Sequence, residues 1–263
     1  MNRKAVNQLV MKPTIKVLPF ILAMILLSQC EKDEPGDQVK IRDQNFLSAL
    51  IQRGVDTNGD SIISYTEAET ITFLNVGGKG IFDMTGIEAF INLDTLLCFN
   101  NHLSTLDVSH NKGLTLLGCW NNLITTLDVS KNPELTELGC NYNQLTSLDL
   151  TNSPSLIELG CNSNKLATLD VSNNNRLKYL NILHNQLKTL DVSNNDSLIV
   201  LQCSDNQLAS LDISNNTLLK GLMIENMPML YTVCVWTTPF PPAGVLVYTS
   251  GSPNVDFTID CSK

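Results

Sequence analysis

Oxygen-bearing residues recur at regular positions in the segment 56–67, whose sequence is DTNGDSIISYTE. Positions 1, 3, 5, 7, 9 and 12 of this segment are Asp56, Asn58, Asp60, Ile62, Ser64 and Glu67. Carboxylate, amide, hydroxyl and backbone carbonyl oxygens are the ligands that Ca²⁺ prefers, and this spacing lets them surround one ion. The segment therefore predicts a calcium site.

The same spacing resembles the loop of an EF-hand, which also has an apolar residue at position 8, here Ile63. Ser61 departs from the pattern, because position 6 is normally Gly and a positive φ costs a non-glycine residue about 1 kcal/mol. A single loop without a Met-rich groove predicts a structural calcium ion and not a switch. The alternative is an Asp- and Asn-rich turn that binds no metal.

A 21-residue repeat dominates the chain, and the rung 135–145, LTELGCNYNQL, shows it most clearly. Its Cys column contains Cys98, Cys119, Cys140, Cys161, Ile182, Cys203 and Ile224, and its Asn column contains Asn101, Asn122, Asn143, Asn164, Asn185 and Asn206. The pattern Leu-x-x-Leu-x-(Cys/Ile)-x-x-Asn-x-Leu resembles the leucine-rich repeat over residues 71–235. The resemblance implies an α/β-type repeat solenoid, mostly β, with one parallel sheet, a short helical N-terminal cap and an irregular C-terminal cap.

Alternation within each repeat predicts which side chains point inward. The ladder cysteines stand at leucine positions, so we interpret them as small hydrophobic core residues. The Asn column is interpreted as structural, because a buried amide can bond the backbone of neighbouring coils. We interpret a further column as backbone-bonded turn residues, with a ladder of calcium ions as the alternative. This column contains Asp107, Asp128, Asp149, Asp170, Asp191 and Asp212.

Residues 1–30 have the pattern of a targeting segment, with basic residues followed by the apolar run 17–27. The ending Leu27-Ser28-Gln29-Cys30 resembles a bacterial lipoprotein box, although Gln29 replaces the small residue usual before the Cys. The resemblance implies lipidation of Cys30 and cleavage before it; the alternative is an ordinary secreted protein. Translation could start at Met1 or Met11. Lys32-Asp33-Glu34 resembles the signal that sends some lipoproteins to the cell surface, which implies an outward-facing, outer-membrane lipoprotein.

The remaining boundaries follow from composition. Residues 31–40 are polar and predict a flexible tether. Residues 41–92 predict an N-terminal cap with a helix over 41–53, the calcium loop and an irregular first repeat. The segment 81–93, at the end of this cap, resembles the entry repeats of internalin-like bacterial surface proteins. Regular repeats occupy 93–230, and 231–263 predict a C-terminal cap. Cys234 and Cys261 bracket that Pro-rich tail and predict a disulfide, with two free thiols as the alternative.

Net charge excludes one class of partner. The full chain carries −9, but the first thirty residues hold four of its 17 basic residues and none of its 26 acidic ones, so the remainder carries −13. Such a surface repels nucleic acid and anionic membranes, and the sequence has no basic patch with interleaved aromatics. The expected partner is therefore a protein or a glycan, with membrane contact only through the lipid anchor, and the chain is expected to be a monomer.

The exposed face of the predicted sheet is the candidate binding surface. Gly118, Gly139 and Gly160 follow one another in one row, and glycines in strands often mark close approach by a ligand. Aromatic and polar residues flank them. The predicted ligand-binding residues are Phe99, Trp120, Gly139, Asn141, Tyr142, Glu158, Tyr179, Leu183 and His184. The alternative is that Phe99 and Trp120 only pack against the N-terminal cap.

Catalytic patterns are absent from the sequence. Its three histidines are scattered, and it contains no His-Glu-x-x-His, Gly-x-Ser-x-Gly or phosphate-binding loop. We therefore predict a non-enzymatic binding protein of the cell surface. Two alternatives remain: a hydrolytic or accessory protein of glycan processing that uses Glu137 with Glu158, and a purely structural envelope lipoprotein.

Overall fold

The computed structural model describes residues 36–261. The predicted signal peptide, the two candidate start sites, the lipidation of Cys30 and the signal at 32–34 lie outside these residues. Within them, no helix is long and apolar enough to cross a bilayer.

The N-terminal cap contains two helices, α1 (Gln44–Gln52) and α2 (Tyr65–Glu69). One carboxylate oxygen of Asp43 caps α1 by accepting hydrogen bonds from the backbone N–H groups of Asn45 and Phe46, at 2.7 and 3.0 Å. Gly54 follows the helix at φ 76°, which a glycine adopts without strain. The helix predicted over 41–53 is therefore confirmed, with shorter ends.

The predicted tether 31–40 is wrong for its last residues. The backbone N–H of Val39 donates to the carbonyl of Ile63 at 2.8 Å, and the carbonyl of Asp37 accepts from Tyr65. Val39 is buried in the core. One apolar side chain in a polar stretch was enough to bring this segment onto the cap, because burying a Val stabilises by about 1.5 kcal/mol or more.

Each coil contributes a three-residue strand. The strands are β1 (Phe73–Asn75), β2 (Thr95–Leu97), β3 (Leu116–Gly118), β4 (Glu137–Gly139), β5 (Glu158–Gly160), β6 (Tyr179–Asn181), β7 (Val200–Gln202), β8 (Ser210–Asp212), β9 (Gly221–Met223), β10 (Thr232–Cys234), β11 (Leu246–Tyr248) and β12 (Asp256–Thr258). A 3-10 turn, Ile87–Ala89, lies between β1 and β2. The main sheet is parallel and nine-stranded, in the order β1-β2-β3-β4-β5-β6-β7-β9-β11. The predicted solenoid with 21-residue coils and one parallel sheet on its strand face is confirmed.

The core is one apolar column that continues from coil to coil. The central residue of each strand from β1 to β9 is a buried leucine, and the five ladder cysteines are buried as well. Burial raises the pKa of Cys119, Cys161 and Cys203 to about 12, so these thiols stay protonated at neutral pH. Their burial confirms the interpretation of these cysteines as core residues.

The predicted Asn column holds the coils together. In Asn143 the amide nitrogen donates to the carbonyls of Cys140 in its own coil and Cys119 in the preceding coil, both at 3.0 Å. Its amide oxygen accepts from the backbone N–H of Ile124 at 3.0 Å. The same arrangement recurs around Asn122, Asn164, Asn185 and Asn206. Each amide therefore replaces backbone bonds that the tight turn cannot make.

A second buried Asn column lies in the part of each coil that leads from one strand to the next, and it was not predicted from the sequence. Each amide nitrogen donates to two carbonyls of the preceding coil; Asn174, for example, bonds those of Leu150 and Ser153 at 3.2 and 2.8 Å. The members are Asn111, Asn132, Asn174, Asn195 and Asn216, all fully buried. Their 21-residue spacing was visible in the sequence. Ser153 occupies the remaining place; its hydroxyl has no hydrogen-bond partner, and neither have the amide oxygens of the five asparagines.

Completing this second column should stabilise the protein. In Ser153→Asn the new amide can donate to the carbonyls of Val129 and Asn132, by analogy with the neighbouring coils. We expect the free energy of unfolding to rise by about 1 kcal/mol, measured by urea denaturation. Ser147→Asn, on the exposed surface, is the control and should change stability little. A destabilised Ser153→Asn would show that this coil lacks the room that its neighbours have.

The Asp column consists of turn residues, as predicted. Each carboxylate accepts a hydrogen bond from the backbone N–H two residues later, at 2.8 to 2.9 Å. For Asp149 and Asp170, hydrogen bonds from the hydroxyl and backbone of Thr151 and Ser172 lower the carboxyl pKa. The repeated Asp therefore closes the turn, which is sufficient reason for its recurrence.

The C-terminal cap is more regular than the sequence indicated. β11 extends the main sheet, while β10 and β12 join β8 in a separate parallel sheet. The period is lost because a Pro-rich segment separates β10 from β11, yet the solenoid continues. Ser252 replaces the missing Asn of the last coil: its hydroxyl donates to the carbonyl of Ile224 and accepts from the N–H of Met227, at 2.6 and 2.8 Å. Cys234 and Cys261 form a disulfide, with Cα atoms 5.5 Å apart.

Candidate functional site

Strand register arranges the exposed side chains of the main sheet in rows. One row runs through Thr95, Leu116, Glu137, Glu158, Tyr179, Val200 and Gly221, and the next through Leu97, Gly118, Gly139, Gly160, Asn181, Gln202 and Met223. Two residues beyond each strand lies a third row, which contains Phe99, Trp120, Asn141, Asn162, Leu183, Ser204 and Glu225. We refer to these three rows as the strand face.

The glycines of the strand face make room for neighbouring side chains. A Cβ atom at Gly118 would lie 2.7 Å from the Leu97 side chain and closer still to the Trp120 ring. At Gly160 the Asn141 amide lies in the same relation, 2.8 Å away. Close approach by a ligand was predicted for the three glycines. This prediction is wrong for Gly118, because the Trp120 ring covers the residue.

Phe99 and Trp120 form a parallel stack. Their ring centroids are 4.4 Å apart and their planes differ by 1°. Phe99 in turn covers Gly77, beside the N-terminal cap, where a Cβ would lie 2.6 to 2.8 Å from its ring atoms. Phe99 therefore packs against the N-terminal cap, which was the alternative role predicted for it. Trp120 is the outer member of the stack, half-buried, and turns its ring toward the coils that follow.

A groove of about 380 Å³ begins at Trp120 and crosses β4 and β5. Most of its surface is apolar, with carboxylates along one side. It is lined by Leu97, Leu116, Leu117, Gly118, Trp120, Glu137, Leu138, Gly139, Asn141, Tyr142, Glu158 and Gly160. Five of the nine predicted ligand-binding residues are among these: Trp120, Gly139, Asn141, Tyr142 and Glu158.

The other predicted residues lie outside the groove. Tyr179 neighbours Glu158 in the next strand but lines no part of the cavity. His184 pairs with Asp205 instead, with Nδ1 3.4 Å from a carboxylate oxygen, and Leu183 is half-buried in the third row. The groove thus covers only part of the predicted surface. Leu97 and Leu116 were missed as members, although they directly precede the glycines and glutamates in their rows.

Tyr142 has an unusual backbone for its size. It is 58% exposed and has φ 52°, in the left-handed region. The equivalent residues in other coils share this conformation and are mostly small or polar: Asn100, Asn121, Ser163, His184, Asp205 and Asn226. Asn tolerates this region better than an aromatic residue does. Stability alone would therefore not favour Tyr at this rim of the groove.

Replacing Tyr142 by Asn should separate stability from binding. We expect the free energy of unfolding to stay constant or to rise by up to about 1 kcal/mol, because Asn relieves the backbone strain. Capture of a ligand by the groove should weaken at the same time. Urea denaturation measures the first effect, and Ser163→Asn, at the same backbone position one coil later, is the control. A clear loss of stability in Tyr142→Asn would contradict this interpretation.

The residues of the predicted calcium loop lie in a compact turn. Ser61 has φ 67°, as position 6 of such a loop requires. Both oxygens of Asp56 accept backbone hydrogen bonds, from Gly59 at 2.6 Å and Ser61 at 3.0 Å. Asp60 accepts from the N–H of Ile62 at 2.8 Å. The shape of the turn and its carboxylate oxygens thus suit a calcium ion, with Ser61 at the position where an EF-hand loop normally has Gly.

Glu67 reaches back across the loop. One carboxylate oxygen accepts from the N–H and hydroxyl of Thr57, at 2.6 and 2.8 Å. The other accepts from the N–H and hydroxyl of Ser64, both at 3.0 Å, and forms the capping box of α2. A cation in the loop would have to compete with Thr57 and Ser64 for these oxygens.

Acidification tests the role of Glu67. Burial alone would raise the pKa of this carboxyl, but the bonds from Ser64 and Thr57 together lower it below its ordinary 4.5. A carboxylate of lowered pKa stabilises the fold above its unfolded pKa, and this contribution is lost as pH falls through the folded pKa. With a chelator present, we expect the melting temperature to decrease as the pH is lowered from 4.5, and to decrease less steeply in Glu67→Gln. Equal acid dependence in both proteins would contradict this role.

Comparison with known proteins supports the fold. No family model matches the chain. A segment of 69 residues, 26% of this chain, is 39% identical to internalin J of Listeria monocytogenes serotype 4b strain F2365, and it spans 7% of that protein.

Two solved structures resemble the solenoid. Internalin C2 of Listeria monocytogenes strain 4b F2365 matches with a TM-score of 0.65 and 18% identity, over 79% of this chain and 93% of that one. A leucine-rich repeat protein of Leptospira interrogans matches with a TM-score of 0.56 and 19% identity, over 74% of this chain and 55% of that one. The chain therefore has an internalin-like leucine-rich repeat fold.

Proposed function

We propose that the protein is a non-enzymatic, cell-surface binding module that captures a macromolecular ligand in the groove between Trp120 and Tyr142. The groove itself is the observation that carries this proposal. It is a mostly apolar cavity with carboxylates along one side, and apolar cavities with a few polar groups are the usual form of binding sites. The internalin-like fold supports the same function, since the sequence resemblance is to surface binding proteins.

Two features of the groove favour binding over a structural role. Trp120 lies on the strand face and leaves part of its ring exposed, and aromatic side chains of this kind dominate binding interfaces. Tyr142 is retained in a backbone conformation that costs stability. Folding alone requires neither the exposed part of the Trp120 ring nor a bulky side chain at the position of Tyr142.

Array screening tests this function. The soluble chain from Glu31 to Lys263 is applied to protein and glycan arrays, beside Trp120→Ala and the control Tyr231→Ala. Tyr231 is 49% exposed but lies in the C-terminal cap. We expect Trp120→Ala to lose its signal and Tyr231→Ala to keep it. Equal capture by Trp120→Ala and the unchanged chain would contradict the proposal.

Hydrolysis is the second candidate, favoured by one observation. Glu137 and Glu158 are register partners on adjacent strands, where backbones lie about 4.8 Å apart. Both side chains are exposed, whereas the general acid of a glycosidase is normally enclosed by the protein. If a glycosidase activity were found, Glu137→Gln should abolish it; activity retained in this variant would remove the candidate.

A structural calcium ion in the loop 56–67 is also part of this proposal. With the affinity of extracellular modules, about 10 mM calcium should stabilise the fold by about 2 kcal/mol. The expected result is a melting temperature that falls on chelation in the unchanged chain and is insensitive to chelation in Asp56→Ala. Identical melting curves with and without chelator would favour the metal-free turn.

The proposed anchor is a lipid on Cys30, which holds the module at the outer membrane. Metabolic labelling with radioactive palmitate should mark the full-length protein and be absent from Cys30→Ala. Protease added to intact cells should release the solenoid if it faces outward. Protection from protease would place the labelled protein inside the envelope.

A further inference from the structure

We infer that the groove takes a basic side chain of a protein partner, with an arginine as the best fit, and this inference rests on the proposed function. Its cationic head would lie between Glu137 and Glu158, and its aliphatic stem along the apolar wall beside Trp120. The partner is therefore a protein segment with an exposed arginine next to apolar residues, and not a neutral glycan.

The two carboxylates are not paired with a positive charge. Neither Glu137 nor Glu158 forms an ion pair, and the ion pair between His184 and Asp205 lies two coils away from Glu137. Within the described part of the chain, the three rows of the strand face contain no Lys or Arg. If the two carboxylates lie as far apart as their strands, about 4.8 Å, they repel each other by about 0.8 kcal/mol in water, and a bound cation removes this repulsion.

The geometry suits a fork-shaped cation better than a compact one. Glu137 and Glu158 stand side by side along the row, so a planar guanidinium can bond both carboxylates at once. The Trp120 ring and the side chains of Leu97 and Leu116 form the wall beside them. A guanidinium gains further from stacking on an aromatic ring, whereas a lysine ammonium is more strongly hydrated.

Other ligand classes fit the groove less well. An anionic glycan would meet the charge of both glutamates and the net charge of −13 outside the first thirty residues. A neutral sugar could donate to the same two carboxylates through its hydroxyl groups, but these are neutral donors, and the charge-assisted hydrogen bonds of a guanidinium are stronger.

A matched pair of peptides tests the inference. The probes are acetyl-Leu-Arg-Leu amide and its citrulline counterpart, in which a neutral urea group replaces the guanidinium without a change of shape. Binding is followed by the indole N–H signal of Trp120 in ¹⁵N NMR spectra of the soluble chain. We expect the arginine peptide to bind at least about fivefold more tightly, because charge-assisted hydrogen bonds are stronger than neutral ones.

Variants assign this preference to the two carboxylates. The double variant Glu137→Gln, Glu158→Gln keeps the shape of the groove and should bind both peptides equally. Glu134→Gln, an exposed glutamate away from the strand face, should keep the preference. Equal binding of both peptides to the unchanged chain, a preference that survives in the double variant, or no shift of the Trp120 signal with either peptide would overturn the inference.

The outcome can be separated from that of the proposed function. If array capture depends on Trp120 while the two peptides bind equally, the strand face binds a ligand but not through a basic residue. A glycan captured through Trp120 has the same meaning. If array capture is independent of Trp120, the proposed function itself fails.

Discussion

Replacing Asn143 by Ala should lower the free energy of unfolding by about 4 kcal/mol, a large share of the stability of a domain of this size. The change removes a buried amide from the middle of the solenoid. It leaves the buried N–H of Ile124 without its partner, and it removes one of the two amide hydrogen bonds at each of the carbonyls of Cys119 and Cys140. Each buried polar group without a partner costs about 1 to 3 kcal/mol.

Repeat architecture adds a second effect. Each coil contacts mainly its neighbours, so a break in the central coil weakens the coupling between the two halves. Urea denaturation of Asn143→Ala should therefore show a lower midpoint and a broader transition. Asn175→Ala, an exposed residue of a turn, is the matched control and should change stability by about 0.5 kcal/mol at most. Equal stability of the two variants would contradict the role assigned to the Asn column.

Adding one methyl group at Gly118 should abolish ligand capture without unfolding the protein. A Cβ at this position would lie 2.7 Å from the Leu97 side chain and nearer to the Trp120 ring, so the ring must swing away from the sheet. The stack with Phe99 would open, and the wall of the groove would be lost. Because the displaced atoms belong to a side chain at the surface, we expect a cost in stability of only about 1 kcal/mol.

Gly221→Ala is the control for this experiment. Gly221 lies on the same strand face, but a Cβ there would meet Val200 at 3.6 Å, an ordinary contact. Gly221→Ala should leave ligand capture on the arrays and the tryptophan emission spectrum unchanged, whereas Gly118→Ala should change both. If Gly118→Ala also captured ligand normally, Trp120 would not be part of the binding surface.

Much of the fold could be predicted because the period of the sequence equals the period of the structure. Once Cys119, Cys140 and Cys161 were aligned, the strands β2 to β7 and β9 and their register followed, since a parallel stack repeats each contact. The second Asn column was equally periodic but was overlooked, because Ser153 stands at one of its positions and interrupts the series of asparagines. The C-terminal strands could not be predicted, because β11 reaches its place by tertiary packing alone.

The candidate site was harder to predict than the fold. Sequence rows identified Trp120, Asn141 and Glu158 correctly as neighbours, since register alone brings them together. They could not show which way a side chain leans, so the Trp120 ring over Gly118 was unforeseen. For the same reason His184 was assigned to the site, while it turns to Asp205. Rotamers depend on contacts between coils that a repeat pattern does not encode.

The two tryptophans of the chain allow a direct test of where a ligand binds. Trp120 borders the groove, and Trp236 packs against Phe240 in the C-terminal cap, with ring centroids 5.3 Å apart. Single-tryptophan proteins, Trp236→Phe and Trp120→Phe, are titrated with a ligand captured on the arrays while emission is recorded. We expect binding to change the emission of Trp120 in the first protein and to leave Trp236 in the second unchanged. A response from Trp236 with none from Trp120 would contradict binding at the strand face.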